Sequence, residues 1–398
     1  MVQIALVGKP SAGKSTFFRA ATLAEAEIAN YPFTTIKPNH GVAFVSIPCA
    51  DKTFGVQCNP RIGFCKDHYR YIAIDLIDVA GLVPDAHKGE GMGLEFLNDL
   101  NQADGLIHVV DISGSVDEKG NPVAPLSYDP LKDIAFLENE LDYWYLGILK
   151  KGWERYARQI QQEHKEVYKA LAKQMSGLRV TEEMAKEILA KLKLPQDPTI
   201  WTEEQLLSIA KAMRIASKPM VLAANKIDVP GAQKNLERMQ AAYPHLTIIG
   251  CSAEAELALK EADKHKVIAY RQGDNTFTIL NNEKLSEKQR AALAYLSTFL
   301  QQRQTTGVQD ILNTLIFKVL GMIAVFPGGV NKLHDSEGRV LPDCFLLPKN
   351  STALDFAFKL HSDFGNNFIK AIDVKTKMPI SKDHLLKNGD VIEIMAKK

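Results

Sequence analysis

Residues Val2 to Thr16, VQIALVGKPSAGKST, constrain the fold more than any other stretch of this chain. An apolar, partly β-branched run ends at Val7. It is followed by Gly8-Lys9-Pro10-Ser11-Ala12-Gly13-Lys14-Ser15-Thr16 and then by the helix-compatible FFRAATLAEAEIA. Strand, glycine loop and helix, in that order, are the context in which G-x-x-x-x-G-K-[ST] is a phosphate-binding loop. The glycines let backbone N–H groups close around phosphate oxygens, and the helix N-terminus adds the positive end of its dipole. In this reading Lys14 reaches the β- and γ-phosphates and the Ser15 hydroxyl ligates Mg²⁺.

Partner motifs follow in sequence order. Asn30 to Asn39 (NYPFTTIKPN) holds two prolines and cannot be a long helix. A threonine in such a loop can supply a second Mg²⁺ ligand and sense the γ-phosphate; Thr35 is the choice and Thr34 the fallback. Tyr71 to Val79 reads as a buried strand that delivers Asp78 as a metal-side carboxylate and Gly81 as a γ-phosphate contact. The next residue is Leu82, whereas Ras-type enzymes carry a water-orienting glutamine there. An apolar side chain cannot orient water, so the expectation is slow hydrolysis, or hydrolysis completed by another group. His87, Lys88 and Glu90 are candidates, although residues of these types are more often solvated.

Gly105 to Ser113 and Pro219 to Ala224 read as further strands, the latter running into Asn225-Lys226-Ile227-Asp228. This is the N-K-x-D pattern that reads guanine: the Asp228 carboxylate accepts from the base's N1–H and amino group, Lys226 packs along the base, and Asn225 ties loops together. A fifth strand, Leu246 to Cys251, delivers Ser252-Ala253-Glu254, whose N–H groups can face the guanine oxygen. Motifs at successive strand ends place the ligand at the carboxyl edge of a doubly wound parallel sheet. The expected set is completed by Lys14, Thr35 and Gly81 as the residues that assist catalysis, and by Ser15, Thr35 and Asp78 on the metal.

At 398 residues the chain exceeds a single core, and its 46% hydrophobic and 24% charged composition is that of a globular protein. A net charge of +1 leaves no whole-molecule nucleic-acid footprint, so RNA contact has to come from a local patch. The sequence opens directly in a strand, no stretch approaches a membrane span, and the five cysteines fit a reducing compartment. The expectation is a cytoplasmic monomer that neither reads DNA sequence nor contacts membrane.

Together, GKPSAGKS, NYPFTTIKPN, DVAGLVPDAHKGEGMG, NKID and SAE resemble the Obg and YchF branch of translation-associated GTPases, and the tail resembles that family's TGS module. The resemblance covers nearly the whole chain and is strongest to archaeal YchF-like members that keep a guanine motif. It implies a P-loop GTPase domain with a C-terminal β-grasp domain. It also implies a Mg²⁺-dependent GTP switch acting in translation or on ribosomal particles or structured RNA. YchF proper lacks N-K-x-D and prefers ATP, so a YchF-like ATPase is the alternative. A GTP-stabilised RNA- or protein-binding module with negligible turnover is the third reading. Ser11 stands where potassium-activated relatives carry asparagine, which argues against a potassium cofactor.

The expected organisation is an OBG-type GTP-binding domain over 1–280, interrupted by a coiled-coil-like helical insertion at 128–216. A helical connector at 281–320 and a TGS-like β-grasp domain at 321–398 follow. The insertion is inferred because a right-handed crossover between consecutive parallel strands needs only one helix, far less than the chain between Ile112 and Pro219. Asp129-Pro130 reads as a helix start, Leu131 to Gln174 as helical, Thr181 to Lys193 as a second helix, and Thr202-Glu-Glu-Gln205 as a capping box. Lys150 to Leu194 holds eleven Lys/Arg against six Glu. Arg155, Arg158, Lys165 and Lys169 belong equally to a solvated hairpin or to an RNA-contacting face. Ser286-Glu-Lys-Gln289 caps another helix, and the tail alternates short strands with one helix at Thr352 to Phe364. Cys49, Cys58, Cys65 and His68 match no standard zinc spacing, so zinc there is the lesser expectation beside free thiols.

Overall fold

The computed structural model describes residues 1–23, 39–79, 81, 100–163 and 165–397. Its first strands are β1 (Gln3–Val7), β2 (His40–Pro48), β3 (Phe64–Lys66), β4 (Tyr69–Asp78), β5 (Gly105–Asp111), β6 (Met220–Asn225) and β7 (Thr247–Cys251). The chain forms two compact units: Gln3–Phe18 with Leu76–Ala255, and Met1–Val2 with Arg19–Asp75 and Glu256–Lys398.

In the first unit, β1 pairs with β5, β5 with β6, and β6 with β7, all in parallel. The end of β4 lies beside β1, where the Val79 N–H donates to Leu6 O at 3.3 Å. All seven residues of β5 are buried, as a parallel strand covered on both faces requires. Because the strands are parallel, Val7, Asp111, Asn225 and Cys251 end at one edge of the sheet. Each expected strand is present with its ends shifted by a residue or two.

Helices Leu131–Lys150, Trp153–Gln162, Val167–Gln174, Glu182–Leu192 and Glu203–Ser217 fill the stretch between β5 and β6. The expected continuous helix over 131–174 breaks where Lys151 turns extended and Gly152 takes φ 78°, and again after Gln162. Leu137, Leu141, Tyr145, Leu206, Ile209 and Met213 share one buried cluster with the sheet residues Ala5, Val7, Ile77 and Leu106. Further out, Trp153 and Trp201 stack at 5.5 Å. Thr202 and Gln205 form the expected capping box. Arg155, Arg158, Lys165 and Lys169 are exposed.

In the second unit β2 and β3 flank β4, with β3 antiparallel to it. A small hairpin joins β8 (Ile268–Tyr270) to β9 (Phe277–Ile279). The capped helix Glu287–Arg303 starts at Ser286 as its sequence requires. The tail builds a five-stranded sheet from β10 (Met322–Pro327), β11 (Phe345–Pro348), β12 (Phe368–Asp373), β13 (Met378–Ile380) and β14 (Val391–Ala396), in the order β11-β10-β14-β12-β13. Only β10 and β14 run parallel. Val325, Leu347, Phe356, Ala371 and Ile392 form its core. The expected single helix over 352–364 ends at Leu360, because His361 adopts an extended backbone and its Nδ1 accepts from the Asp363 N–H, starting a separate helical turn.

Candidate nucleotide-binding site

The loop after β1 has the backbone that its glycines allow. Gly8 and Gly13 have φ values of +143° and +97°, and a Cβ on Gly8 would lie 2.4 Å from Val109 O. Ser11 adopts φ 62° without being glycine, and its Oγ donates to Gly120 O at 3.0 Å. The helix Lys14–Thr22 starts directly from this loop, so its free N–H groups point back into it.

Lys14 lies inside the loop, its Nζ donating to Gly8 O at 3.0 Å and Lys9 O at 2.9 Å. Burial lowers its pKa, and Asp78 opposes that shift. Ser15 Oγ donates to Asp78 Oδ2 at 2.9 Å, so the two oxygens expected to face a cation converge from different strand ends. This hard, oxygen-only pair suits Mg²⁺. Gly81 approaches so closely that a Cβ would meet Pro10 N at 2.9 Å and Lys14 Nζ at 3.1 Å. Thr35, with Thr34, and Leu82, His87, Lys88 and Glu90 lie outside the described residues.

At the far end of the loop, Asn225 joins two segments. Its Nδ2 donates to Ala12 O at 3.1 Å and its Oδ1 accepts from the Ala253 N–H at 3.0 Å. Ser252 caps the helix Ala253–Lys264 by accepting from the Ala255 N–H at 3.1 Å. With the Ala253 and Ala255 donors engaged, the Glu254 N–H makes no bond to another described residue. Lys226, at φ 65°, reaches Asp111 Oδ2 at 2.9 Å and Ser11 O at 3.3 Å. Asp228 is half-buried, and its carboxylate has no hydrogen-bond partner among the described residues.

Several supporting residues carry no sequence motif. Asp111 is fully buried and accepts from Ser113 Oγ and Ser115 Oγ as well as from Lys226. The 115–123 hairpin packs Gly120 against Pro10. Lys9 turns away from the loop interior: its Nζ pairs with buried Asp133 at 2.9 Å and donates to Val116 O at 2.8 Å. Any ligand contact from Lys9 is therefore left to its backbone. His108 lies beneath Gly8, fully buried. Burial, with Lys14 and Lys9 adding to it, holds its pKa at about 3 and keeps the ring neutral. Irregular loops have no periodicity, so nothing in the sequence distinguished these positions.

Comparisons with known proteins agree with this architecture. Residues 3–139 match the model of the 50S ribosome-binding GTPase family, and residues 223–329 match the G4 motif-containing domain of the YGR210-like Obg-like GTPases. Residues 333–396 match the TGS domain. A GTP-binding protein of Methanocaldococcus jannaschii is 48% identical over 100% of this chain and 99% of its own length. The crystal structure of a GTP-binding protein from Pyrococcus horikoshii OT3 is 35% identical, covers 100% of both chains and superposes with a TM-score of 0.79. The ribosome-binding ATPase YchF of Bacillus subtilis is 27% identical over 92% of this chain and 86% of its own. No helix among the described residues is long and apolar enough to cross a membrane. The chain belongs to the YchF/Obg-like family of P-loop GTPases with a C-terminal TGS domain.

Proposed function

We propose that this chain is a Mg²⁺-dependent guanine-nucleotide switch that hydrolyses GTP slowly and acts on ribosomal particles. The observation that carries the proposal is the join between the two recognition elements. Asn225 and Lys226 bond directly to Ala12 O and Ser11 O of the phosphate loop, so a base-reading turn and a phosphate cradle form one built site. In it the Asp228 carboxylate accepts from the guanine N1–H and amino group, and the Glu254 N–H donates to the guanine oxygen. Lys14 exchanges its two carbonyl partners for phosphate oxygens, while the loop N–H groups and the Lys14–Thr22 helix end take the remaining charge. Ser15, Asp78 and Thr35 would hold Mg²⁺, which when bound neutralises charge developing on the β- and γ-phosphates.

Leu82 offers no hydrogen-bonding group for the attacking water, so unaided turnover is slow. The switch reading rests on Gly81, which sits against Lys14 and can report the γ-phosphate to the segment that follows it. The ribosomal assignment is supported by the matched 50S ribosome-binding GTPase family and by the ribosome-binding ATPase YchF among the relatives. It is also supported by the exposed basic residues of the helices between β5 and β6. The test is sedimentation with ribosomal particles, coupled to phosphate release. Binding is expected to strengthen with a non-hydrolysable GTP analogue and to weaken with salt. Cosedimentation indifferent to nucleotide and salt would refute the switch.

A further inference from the structure

One cluster has no part in the nucleotide site. Cys49, Asp51, Cys58 and Cys65 bring their Sγ and carboxylate atoms within 4.8 Å of one another. Cys49 follows β2, Asp51 opens the helical turn Asp51–Phe54, Cys58 lies in the loop beyond it, and Cys65 is in β3. The Cys49 and Cys58 sulfurs are 3.4 Å apart, and Cys65 Sγ is 3.5 Å from Asp51 Oδ2. Ligands at zinc–sulfur distances on a tetrahedron stand ~3.8 Å apart, a spacing that falls between these two separations and the 4.8 Å that bounds all of them. Cys49, Cys58 and Asp51 are buried and Cys65 is half-buried.

We propose that Cys49, Cys58, Cys65 and Asp51 hold a structural zinc ion that clamps the 49–68 loop against residues 340–342 of the C-terminal domain. Three thiols in a mixed sulfur–oxygen set select a borderline-soft cation over Mg²⁺ or Ca²⁺. The fourth donor is Asp51. The histidine grouped with the cysteines by sequence stands behind it, His68 Nδ1 lying 3.0 Å from Asp51 Oδ1. That contact orients the carboxylate, whose Oδ2 also accepts from the Cys58 N–H at 3.0 Å.

Charge balance agrees with this assignment. Three thiolates and a carboxylate around a dication leave two negative charges in a buried place, a costly arrangement without nearby cations. Arg70 supplies a cation: it is 1% exposed, with Nη1 3.8 Å from Cys58 Sγ, and its Nε has no partner among the described residues. His68 Nδ1, 3.0 Å from Asp51 Oδ1, gives the carboxylate a polar partner on its outer side. A disulfide between Cys49 and Cys58 would use two of the four groups and leave Cys65 and a buried carboxylate directed at the same point.

The clamp has a defined object. The Asn59 and Arg61 N–H groups donate to Val340 O and Pro342 O, both at 2.9 Å. Arg70 donates to Leu341 O and Pro342 O, also at 2.9 Å. The loop making these bonds contains only a four-residue helix and a three-residue strand, so it has little regular structure to hold its shape.

The test uses the full chain, purified in reducing buffer without chelator. Metal content is measured by plasma mass spectrometry, followed by cobalt exchange. The expected result is one zinc per chain and, after exchange, thiolate-to-cobalt charge transfer with intense tetrahedral visible bands. Cys58→Ala should carry no zinc, and His68→Ala should bind it about tenfold more weakly. Chelation should speed hydrogen exchange at residues 338–343 while leaving nucleotide affinity unchanged. Should Cys58→Ala fail to fold, Cys65→Ser at the half-buried position gives the same reading. A wild-type protein that neither carries nor takes up zinc overturns the proposal, as does full zinc retention in both cysteine variants. A Cys49–Cys58 disulfide that re-forms after reduction in the presence of zinc also overturns it.

Discussion

Replacing Asn225 with alanine removes the link between the phosphate loop and the base-side loop, and the structure sets the size of the effect. Asn225 is 3% exposed; its side chain bonds to two backbone groups of buried residues, Ala12 O at 3.1 Å and the Ala253 N–H at 3.0 Å, and its Oδ1 also accepts from the Cys251 thiol at 3.8 Å. Each group left unsatisfied costs about 1–3 kcal/mol, so Asn225→Ala should destabilise the nucleotide-free protein by about 2–6 kcal/mol. For a unit of this size each kcal/mol moves the midpoint by about 2–4 °C, so thermal unfolding should shift down by about 4–24 °C. Asn225→Asp is the sharper variant. Its carboxylate can still accept from the Ala253 N–H but sets an oxygen against Ala12 O, so it should be no more stable than alanine. Thermal unfolding and calorimetric GDP titration of the three proteins provide the assay. If Asn225→Asp matched the wild type in both, the join between the loops would not depend on these bonds.

Other consequences are as specific. Lys14→Ala should abolish tight triphosphate binding, measured by titration with a non-hydrolysable GTP analogue, because it removes the ammonium that lies inside the loop on Gly8 O and Lys9 O. Lys218 donates to Asn101 O and Ala103 O, and burial lowers its pKa to about 7 from 10.5. Between those values the unfolded chain holds the extra proton, so this site makes stability rise with pH by at most about 1.4 kcal/mol per unit. Urea unfolding at pH 7 and pH 9.5 should show that rise reduced in Lys218→Met. Reversing Arg155, Arg158, Lys165 and Lys169 to glutamate should weaken salt-sensitive cosedimentation with ribosomal particles without changing nucleotide affinity. Unchanged cosedimentation would make these helices a solvated face.

The parallel sheet and the loops at its carboxyl edge were legible because each strand is a short apolar run closed by a motif. The capped helices starting at Thr202 and Ser286 were equally plain, since their caps are local chemistry. Helix ends set by a single backbone angle were not: nothing in the surrounding pattern marks the break at Gly152 or the extended His361. Within the site, the phosphate-loop and base-side residues carry recognisable spacing. Asp111, Asp133 and the 115–123 hairpin act through contacts between residues distant in sequence. The Asp51 carboxylate is likewise placed among the cysteines by a four-residue helix too short to leave a periodic signal.

Base preference reports whether the turn that Asn225 and Lys226 bond to the phosphate loop reads guanine. Calorimetric titration of the unaltered protein with GDP, GTP, ADP and ATP in Mg²⁺ should show the guanine nucleotides bound at least about tenfold more tightly. That difference corresponds to about 1.4 kcal/mol, within what a charged hydrogen-bonding carboxylate supplies. Asp228→Asn should remove most of the preference while leaving phosphate contacts intact. Adenine nucleotides binding as tightly as guanine nucleotides, or a preference that survives Asp228→Asn, would contradict guanine recognition by this turn.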